Sequence, residues 1–317
     1  MISALQILSA SKRIKPFIIE TPLEYSPYYS SECGGNIYFK MEHLQITGSF
    51  KLRGAFNSLM SLTPEEKENG IIAVSAGNHA LGIAYVSTLI GVDSTIVLPE
   101  NASKAKVDAL KFYNVKLEFC GSDYDSAELA ARKMEKETGK TMISGYNDKN
   151  VIMGQGTIGV EVMNRLPEVD IVLVPIGGGG LISGVAIYLK EINPNIQVIG
   201  VQTDTSPAMY ESIKAGKIVT VEVKDTIADG LAGQIEKDSI TFDIVKNYVN
   251  DILLVDEKEI KKAISQFLDK QHQLIEGSAA VIPAAILKYR NIFNNKNVVG
   301  VLSGRNIDLK SLKNILS

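Results

Sequence analysis

Short β-branched and aliphatic runs recur along the chain, at 71–75, 94–98, 116–119, 170–175, 196–201 and 298–302. Each is followed by a turn rich in Gly, Asn or Ser and then by a longer amphipathic stretch. Strand-length runs alternating with helical periodicity predict βαβ units, parallel sheets and right-handed crossovers. The runs from about 71 to 142 form one compact α/β set, and those from 170 onward form another. Segment 36–42 (NIYFKME) reads as a further strand that could belong to either sheet. The N-terminal stretch MISALQILSASKRIKPF has apolar positions at helical spacing broken by Lys and Arg. That pattern predicts a surface helix rather than a signal peptide. Ligands of such folds sit outside the carboxyl ends of strands, so the loops after the runs are where chemistry is expected.

Composition narrows the class of protein. A length of 317 residues accommodates two domains. With 45% hydrophobic and 22% charged residues the chain is an ordinary soluble globular protein, and no large part need be disordered. A net charge of -3, with Lys and Arg scattered, gives no basic footprint for nucleic acid or an anionic membrane. The scattered cations read as a solvated surface. No run approaches the ~20 apolar residues needed to span a bilayer. Cys33 and Cys120 form neither a disulfide framework nor a metal knuckle and read as free thiols in a reduced compartment. A cytoplasmic protein is expected.

Several loops carry candidate chemistry. In Gly48-Ser49-Phe50-Lys51-Leu52-Arg53-Gly54 a lysine opens a helix, where the positive end of the helix dipole favours the neutral amine. A neutral amine is what imine formation requires, although a solvent-facing lysine is the plainer alternative. In Ser75-Ala76-Gly77-Asn78-His79, Gly77 lets backbone approach a ligand, and Asn78 can donate to a phenolate-type oxygen or simply cap a helix. The run Gly177, Gly178, Gly179, Gly180 leaves an apolar strand and enters a helix, which makes it a phosphate cradle or a tight turn. Gly178, Gly180 and Ser183, with Asp204 after the next strand, also approximate a dinucleotide-binding pattern. That rival, a nicotinamide-dependent oxidoreductase, leaves Lys51 and Asn78 unexplained. Ser303, after the last strand, could face a pyridine nitrogen or cap a helix.

Taken together, these loops resemble the fold-type II pyridoxal-phosphate (PLP) enzymes, and within them the serine/threonine dehydratase and serine racemase group. The resemblance runs from Thr21-Pro22-Leu23 through KMEHLQITGSFKLRGA, SAGNHALGIA, GQGTIGVE, PIGGGGLISG, TIADGLA and VLSGRNID. It implies two open parallel-sheet α/β domains of the tryptophan-synthase-β kind, with PLP in the interdomain cleft. We expect residues 1–46 with 144–317 to form the large domain and 47–143 the small one. By the same resemblance Lys51 is the Schiff-base lysine. Phe50 and Asn78 flank the ring, with Asn78 on its phenolic oxygen. Gly177, Gly178, Gly179 and Gly180 bind the phosphate, Ser303 faces the ring nitrogen and Glu276 looks onto the ring. The substrate carboxylate lies against Ser75, Ala76, Gly77, Asn78 and His79, while Gln155 and Gly230 are expected to line the cleft. A homodimer or homotetramer acting on a small amino acid is implied.

Departures from the family pattern sharpen the expectation. Racemases of this group resemble SSGNH, whose second Ser moves a proton on the opposite face of the substrate. Ala76 stands there in this chain and cannot do so. Metal-dependent members carry acidic residues after the strand at 196–201, where Gln202 and Ala208 stand here, so no metal site is expected. Arg305 occupies a position where relatives commonly have Gly or Ala. The chain ends at Ser317, which leaves no room for the C-terminal regulatory domain of biosynthetic threonine dehydratases. A serine, unlike a carboxylate, cannot hold a full positive charge on the ring nitrogen, which favours expulsion of a β-group over transamination. The expected activity is PLP-dependent threonine/serine ammonia-lyase chemistry, with a dehydratase or racemase of another hydroxy amino acid as the close alternative.

Overall fold

The computed structural model describes residues 2–316. Its strands are β1 (Leu23–Tyr25), β2 (Asn36–Lys40), β3 (Ile71–Val74), β4 (Ser94–Leu98), β5 (Lys116–Phe119), β6 (Thr141–Met142), β7 (Ile171–Pro175), β8 (Gln197–Thr203), β9 (Asp251–Val255) and β10 (Asn297–Val301). One sheet has six strands in the order β1-β2-β10-β7-β8-β9, and the other has four in the order β5-β4-β3-β6. Every pairing is parallel except the antiparallel edge pair β1–β2. Each expected run is a strand, and segment 36–42 joins the larger sheet by pairing with β10. Strands β1, β6 and β9 were not anticipated. The first two are too short to show alternation, and the apolar run of β9 has no period that separates a strand from a buried helical turn.

Parallel sheets are covered on both faces, so their strands are apolar throughout. All residues of β3, β4 and β7 are buried. Along β7, Val172 and Val174 enter one core while Ile171 and Leu173 enter the core on the opposite face. Along β3, Ile71 and Ala73 separate from Ile72 and Val74 in the same way. The expected N-terminal helix spans Ala4–Ile14, opens on a Ser3–Gln6 capping box and buries Ile7, Ala10 and Ile14 at helical spacing. No helix among the described residues is long and apolar enough to cross a membrane.

Topology decides where ligands can bind. In the larger sheet β7, β8 and β9 follow one another outward, while β10 pairs with the other edge of β7. In the smaller sheet β3, β4 and β5 run outward, and β6 pairs on the other side of β3. The carboxyl ends of β7 and β3 are therefore topological switch points, where diverging connections leave a crevice. The glycine run after β7 and the Ser75 loop after β3 occupy these two points.

The reading of the cations as a solvated surface needs correction at two of them. Arg53 and Lys40 are buried with Glu42 and Glu161 in a balanced cluster beneath the Lys51–Met60 helix. The Arg53 guanidinium donates to both Glu42 oxygens at 2.7 and 2.8 Å and to both Glu161 oxygens at 2.6 and 2.8 Å. Lys40 Nζ bonds Glu161 and donates to Thr21 O at 2.6 Å. Burial is tolerated because the charges sum to zero and the guanidinium fork is fully used.

Candidate active site

Lys51 is the first residue of the Lys51–Met60 helix, next to its N-cap Phe50. Its Nζ donates to Gly145 O at 2.6 Å and lies 5.2 Å from the centre of the Phe50 ring. Burial drives the amine down to about 8, against the opposing pull of Glu276. A lysine so placed has a substantial neutral fraction near neutral pH, as a nucleophile or base requires. It faces a cleft of about 660 Å³ between the two switch points.

The Ser75 loop and the glycine run form opposing walls of this cleft. Ser75 Oγ accepts from Gly77 N at 3.0 Å, which folds the loop into the Asn78–Ile90 helix. Gly77 is the N-cap of that helix and brings no side chain to its first-turn N–H groups, so they remain available to an anion. His79 Nε2 sits 3.0 Å from Ile143 O, and since a carbonyl only accepts, that nitrogen carries the proton. Burial first, and Lys51 second, push His79 down to about 3, so the ring is neutral.

Gly179 is left-handed, with φ +90°, and the Gly180–Ile192 helix begins immediately after it without a side-chain cap. A Cβ on Gly178 would lie 2.5 Å from carbons of the Tyr146 ring, so the loop and the tyrosine meet without room for any other residue. Gly178→Ala is therefore expected to displace this loop and to cost about 1–3 kcal/mol of stability, as overpacking does elsewhere. Urea unfolding checks this, and an unchanged stability would contradict it.

Ser303 lies at the carboxyl end of β10 with its Oγ buried and without a partner among the described residues. Glu276 accepts from Asn78 Nδ2 and from Asn306 N, each at 2.8 Å. Burial pushes its carboxyl up to about 7, despite the Asn78 hydrogen bond. Gly230 N donates to Ser278 Oγ at 3.0 Å, and Gly230 also lines the cleft.

Lys51, Phe50, Ser75, Ala76, Gly77, Asn78, His79, Gly177, Gly178, Gly179, Gly180, Gly230, Glu276 and Ser303 are thus brought to one cleft. Gln155 is not. Its amide lies in the packing between the Lys51–Met60 and Lys149–Arg165 helices, where a Cβ on Gly54 would stand 2.3 Å from Nε2. The neighbouring Gly154 serves the same contact, since a Cβ there would stand 2.5 Å from Arg53 O. Arg305 is exposed and outside the cleft lining. Gln202 is buried and its Oε1 accepts from Tyr210 N at 2.8 Å, capping the Ala208–Ala215 helix. Sequence reasoning missed Tyr146, whose ring backs the glycine run, and Asn306, which holds Glu276 and Asn78. The motif VLSGRNID offered a signal for Asn306, while an isolated tyrosine offered none.

The family model described as pyridoxal-phosphate-dependent enzyme matches residues 14–304. The chain is 42% identical to an L-threonine ammonia-lyase of Thermotoga maritima, an alignment that covers all of this chain and 79% of that protein. It is likewise 42% identical to a catabolic L-threonine dehydratase of Staphylococcus aureus, covering all of this chain and 92% of that one. The structure of maize serine racemase superposes with a TM-score of 0.93 at 34% identity, covering 99% of this chain and 96% of the other.

The residues present fit the cofactor of that family. The partnerless Ser303 hydroxyl suits a ring nitrogen as acceptor, the capless glycine turn suits a phosphate, and the buried Lys51 amine suits an aldehyde. With a family match over nearly the whole length and a cleft of matching chemistry, this chain belongs to the pyridoxal-phosphate-dependent enzymes.

Proposed function

We propose that this enzyme is a threonine/serine ammonia-lyase, converting L-threonine to 2-oxobutyrate and L-serine to pyruvate, with release of ammonia. The observation that carries the reading is that the Lys51 amine and the Ser75 loop share one cleft, and that this loop carries Ala76 at the position where the resemblance puts a racemase's proton-carrying Ser. The names of the Thermotoga maritima and Staphylococcus aureus relatives support the substrate class.

Bound in this cleft, pyridoxal phosphate supplies an aldehyde that condenses with amines and a ring that draws electrons from the α-carbon. Lys51 would hold it through Nζ, Asn78 and Phe50 would flank the ring, the run 177–180 would take the phosphate, and Ser303 would meet the ring nitrogen. Gly77 N–H is taken by Ser75 Oγ and Ser75 N–H by Val97 O, so Ser75 would offer its hydroxyl proton, and Asn78 and His79 their first-turn N–H groups, to the substrate carboxylate. Lys51 Nζ would take the α-proton, and its depressed basicity suits it to do so near neutral pH. The β-hydroxyl would leave as water, with one proton returned for the one removed, and one water would then hydrolyse the product to the 2-oxo acid and ammonia. Ala76 cannot return a proton from the other face, so elimination outruns inversion. We assign residues 47–143 to the smaller domain and 1–46 with 144–317 to the larger. Homo-oligomeric assembly, which rests on the resemblance alone, and a cytoplasmic location, which rests on the two cysteines read as free thiols, belong to the same proposal.

Coupled assays for 2-oxo acid and ammonia over a panel of hydroxy amino acids test it. L-Threonine and L-serine should give both products in equal amounts, with serine racemisation roughly a hundredfold slower than elimination, the usual worth of a missing acid/base group. Racemisation as fast as elimination would reverse the assignment. The maize racemase superposition makes that comparison the one to run, and Ala76 decides its expected outcome.

A further inference from the structure

The Lys51 loop and the Ser303 loop lie side by side as an irregular antiparallel strap. Ser49 bridges Gly304, Phe50 N donates to Ser303 O at 3.0 Å, and Arg305 N donates to Gly48 O at 2.9 Å. Asn306 closes this strap. Its Nδ2 donates to Thr47 O at 2.8 Å and to Asn78 Oδ1 at 2.6 Å, which uses both of its amide protons. Gly48, at φ +75°, makes the approach possible, since a Cβ there would stand 2.5 Å from Asn306 Oδ1.

These bonds fix a direction. A backbone carbonyl can only accept, so Thr47 O requires the NH₂ end of Asn306 to face it. The same NH₂ then meets Asn78, which must present Oδ1 in return. Asn78 is left with Nδ2 pointing toward Glu276 Oε1, at 2.8 Å, and toward the cleft. Glu276 Oε2 accepts from Asn306 N at 2.8 Å, so both arms that leave Asn306 end on the Glu276 carboxylate, and Asn306 and Glu276 favour the same flip of the amide between them.

We propose that Asn306 is a positioning residue that, from the side opposite the Glu276 carboxylate, sets the flip of the Asn78 amide, so that a donor and not an acceptor faces the cofactor's phenolic oxygen. The inference rests on the pyridoxal phosphate reading of the cleft and adds to it the group that orients Asn78. An amide can turn over with little change of shape, and only its neighbours distinguish the two ends. With Asn78 reversed, Oδ1 would oppose an ionised ring oxygen and favour that oxygen's protonated form.

The test compares Asn306→Ala and Asn306→Asp in the full-length holoenzyme. Asn306→Ala removes the lock but leaves Asn78 free to donate. Asn306→Asp keeps the size of the side chain, yet it offers only acceptors to Thr47 O and Asn78, so Asn78 either opposes oxygen to oxygen there or turns its NH₂ away from the cleft and gives up its bond to Glu276. The readouts are the ratio of visible to near-ultraviolet absorption of the bound cofactor as a function of pH, and the cofactor dissociation constant. We expect roughly tenfold weaker cofactor binding for Asn306→Ala and about a hundredfold for Asn306→Asp, following the cost of unmade and opposed hydrogen bonds, with the visible band falling in the same order. A role in filling space predicts the reverse order, since Asp is nearly isosteric with Asn. Asn306→Asp matching wild type, or falling between wild type and Asn306→Ala, overturns the inference while leaving the cofactor reading intact. A wild-type protein that takes up no pyridoxal phosphate overturns both.

Discussion

Lys51→Ala is expected to reduce threonine deamination by at least about a thousandfold, because one amine serves as cofactor anchor and as proton acceptor. The fold should survive the change. The amine is enclosed at a cost, as its depression to about 8 records, and removing it trades that cost against one lost bond to Gly145 O. Lys51→Arg sharpens the point. A guanidinium keeps the charge and most of the length but does not give up its proton in proteins, so it should be as inactive as alanine. Steady-state turnover with thermal melting of the apoproteins checks both. Deaminase activity retained in Lys51→Arg would show that charge, rather than a neutral amine, is what the site needs. The native amine is more easily deprotonated than a free one, so the unfolded chain binds more protons between about pH 8 and 10.5, and the Lys51 contribution to apoprotein stability rises with pH across that window.

Arg53→Met should be the most destabilising single change beneath the site, at about 3–5 kcal/mol, the usual cost of removing one partner from a buried ion cluster. Both Glu42 and Glu161 would lose their fork, and Lys40 alone would face two carboxylates. Burial works to raise Glu42, but Arg53 and Lys40 outweigh it and hold the carboxyl below its ordinary value. A carboxylate so depressed contributes stability above its unfolded pKa, and that contribution is lost as pH falls through the folded one. Without Arg53, burial prevails and the sign reverses, so the deficit of Arg53→Met should be largest at neutral pH and should narrow below the ordinary Glu range. Urea unfolding at several pH values measures this. A deficit that does not vary with pH would mean that lost packing, not unpaired charge, dominates.

Much of the candidate site was legible in the sequence because it is local. A helix-opening lysine, four consecutive glycines and a serine after an apolar strand each stand out within a few residues, and each lines the cleft. The strands were legible for the same reason, since β3, β4 and β7 are apolar throughout and bounded by turns. What the sequence withheld depends on long-range closure. Arg53 meets Glu161 across 108 positions, and Asn306 meets Thr47 across 259, so no window contains either pair. A trace was present, because Lys40, Glu42 and Glu161 interrupt apolar segments, where unpaired charge would be costly. Gln155 misled for a related reason. Its motif is needed for a close helix crossing at Gly154, and a glycine that serves packing looks in sequence like one that serves a ligand.

The central claim is that Lys51 carries pyridoxal phosphate in this cleft. Borohydride reduction of the reconstituted enzyme, followed by proteolysis and peptide mass mapping, tests it most directly. The account predicts loss of the visible absorption and a pyridoxyl group on the peptide containing Lys51. A reduced cofactor on a different lysine, or on none, would contradict it.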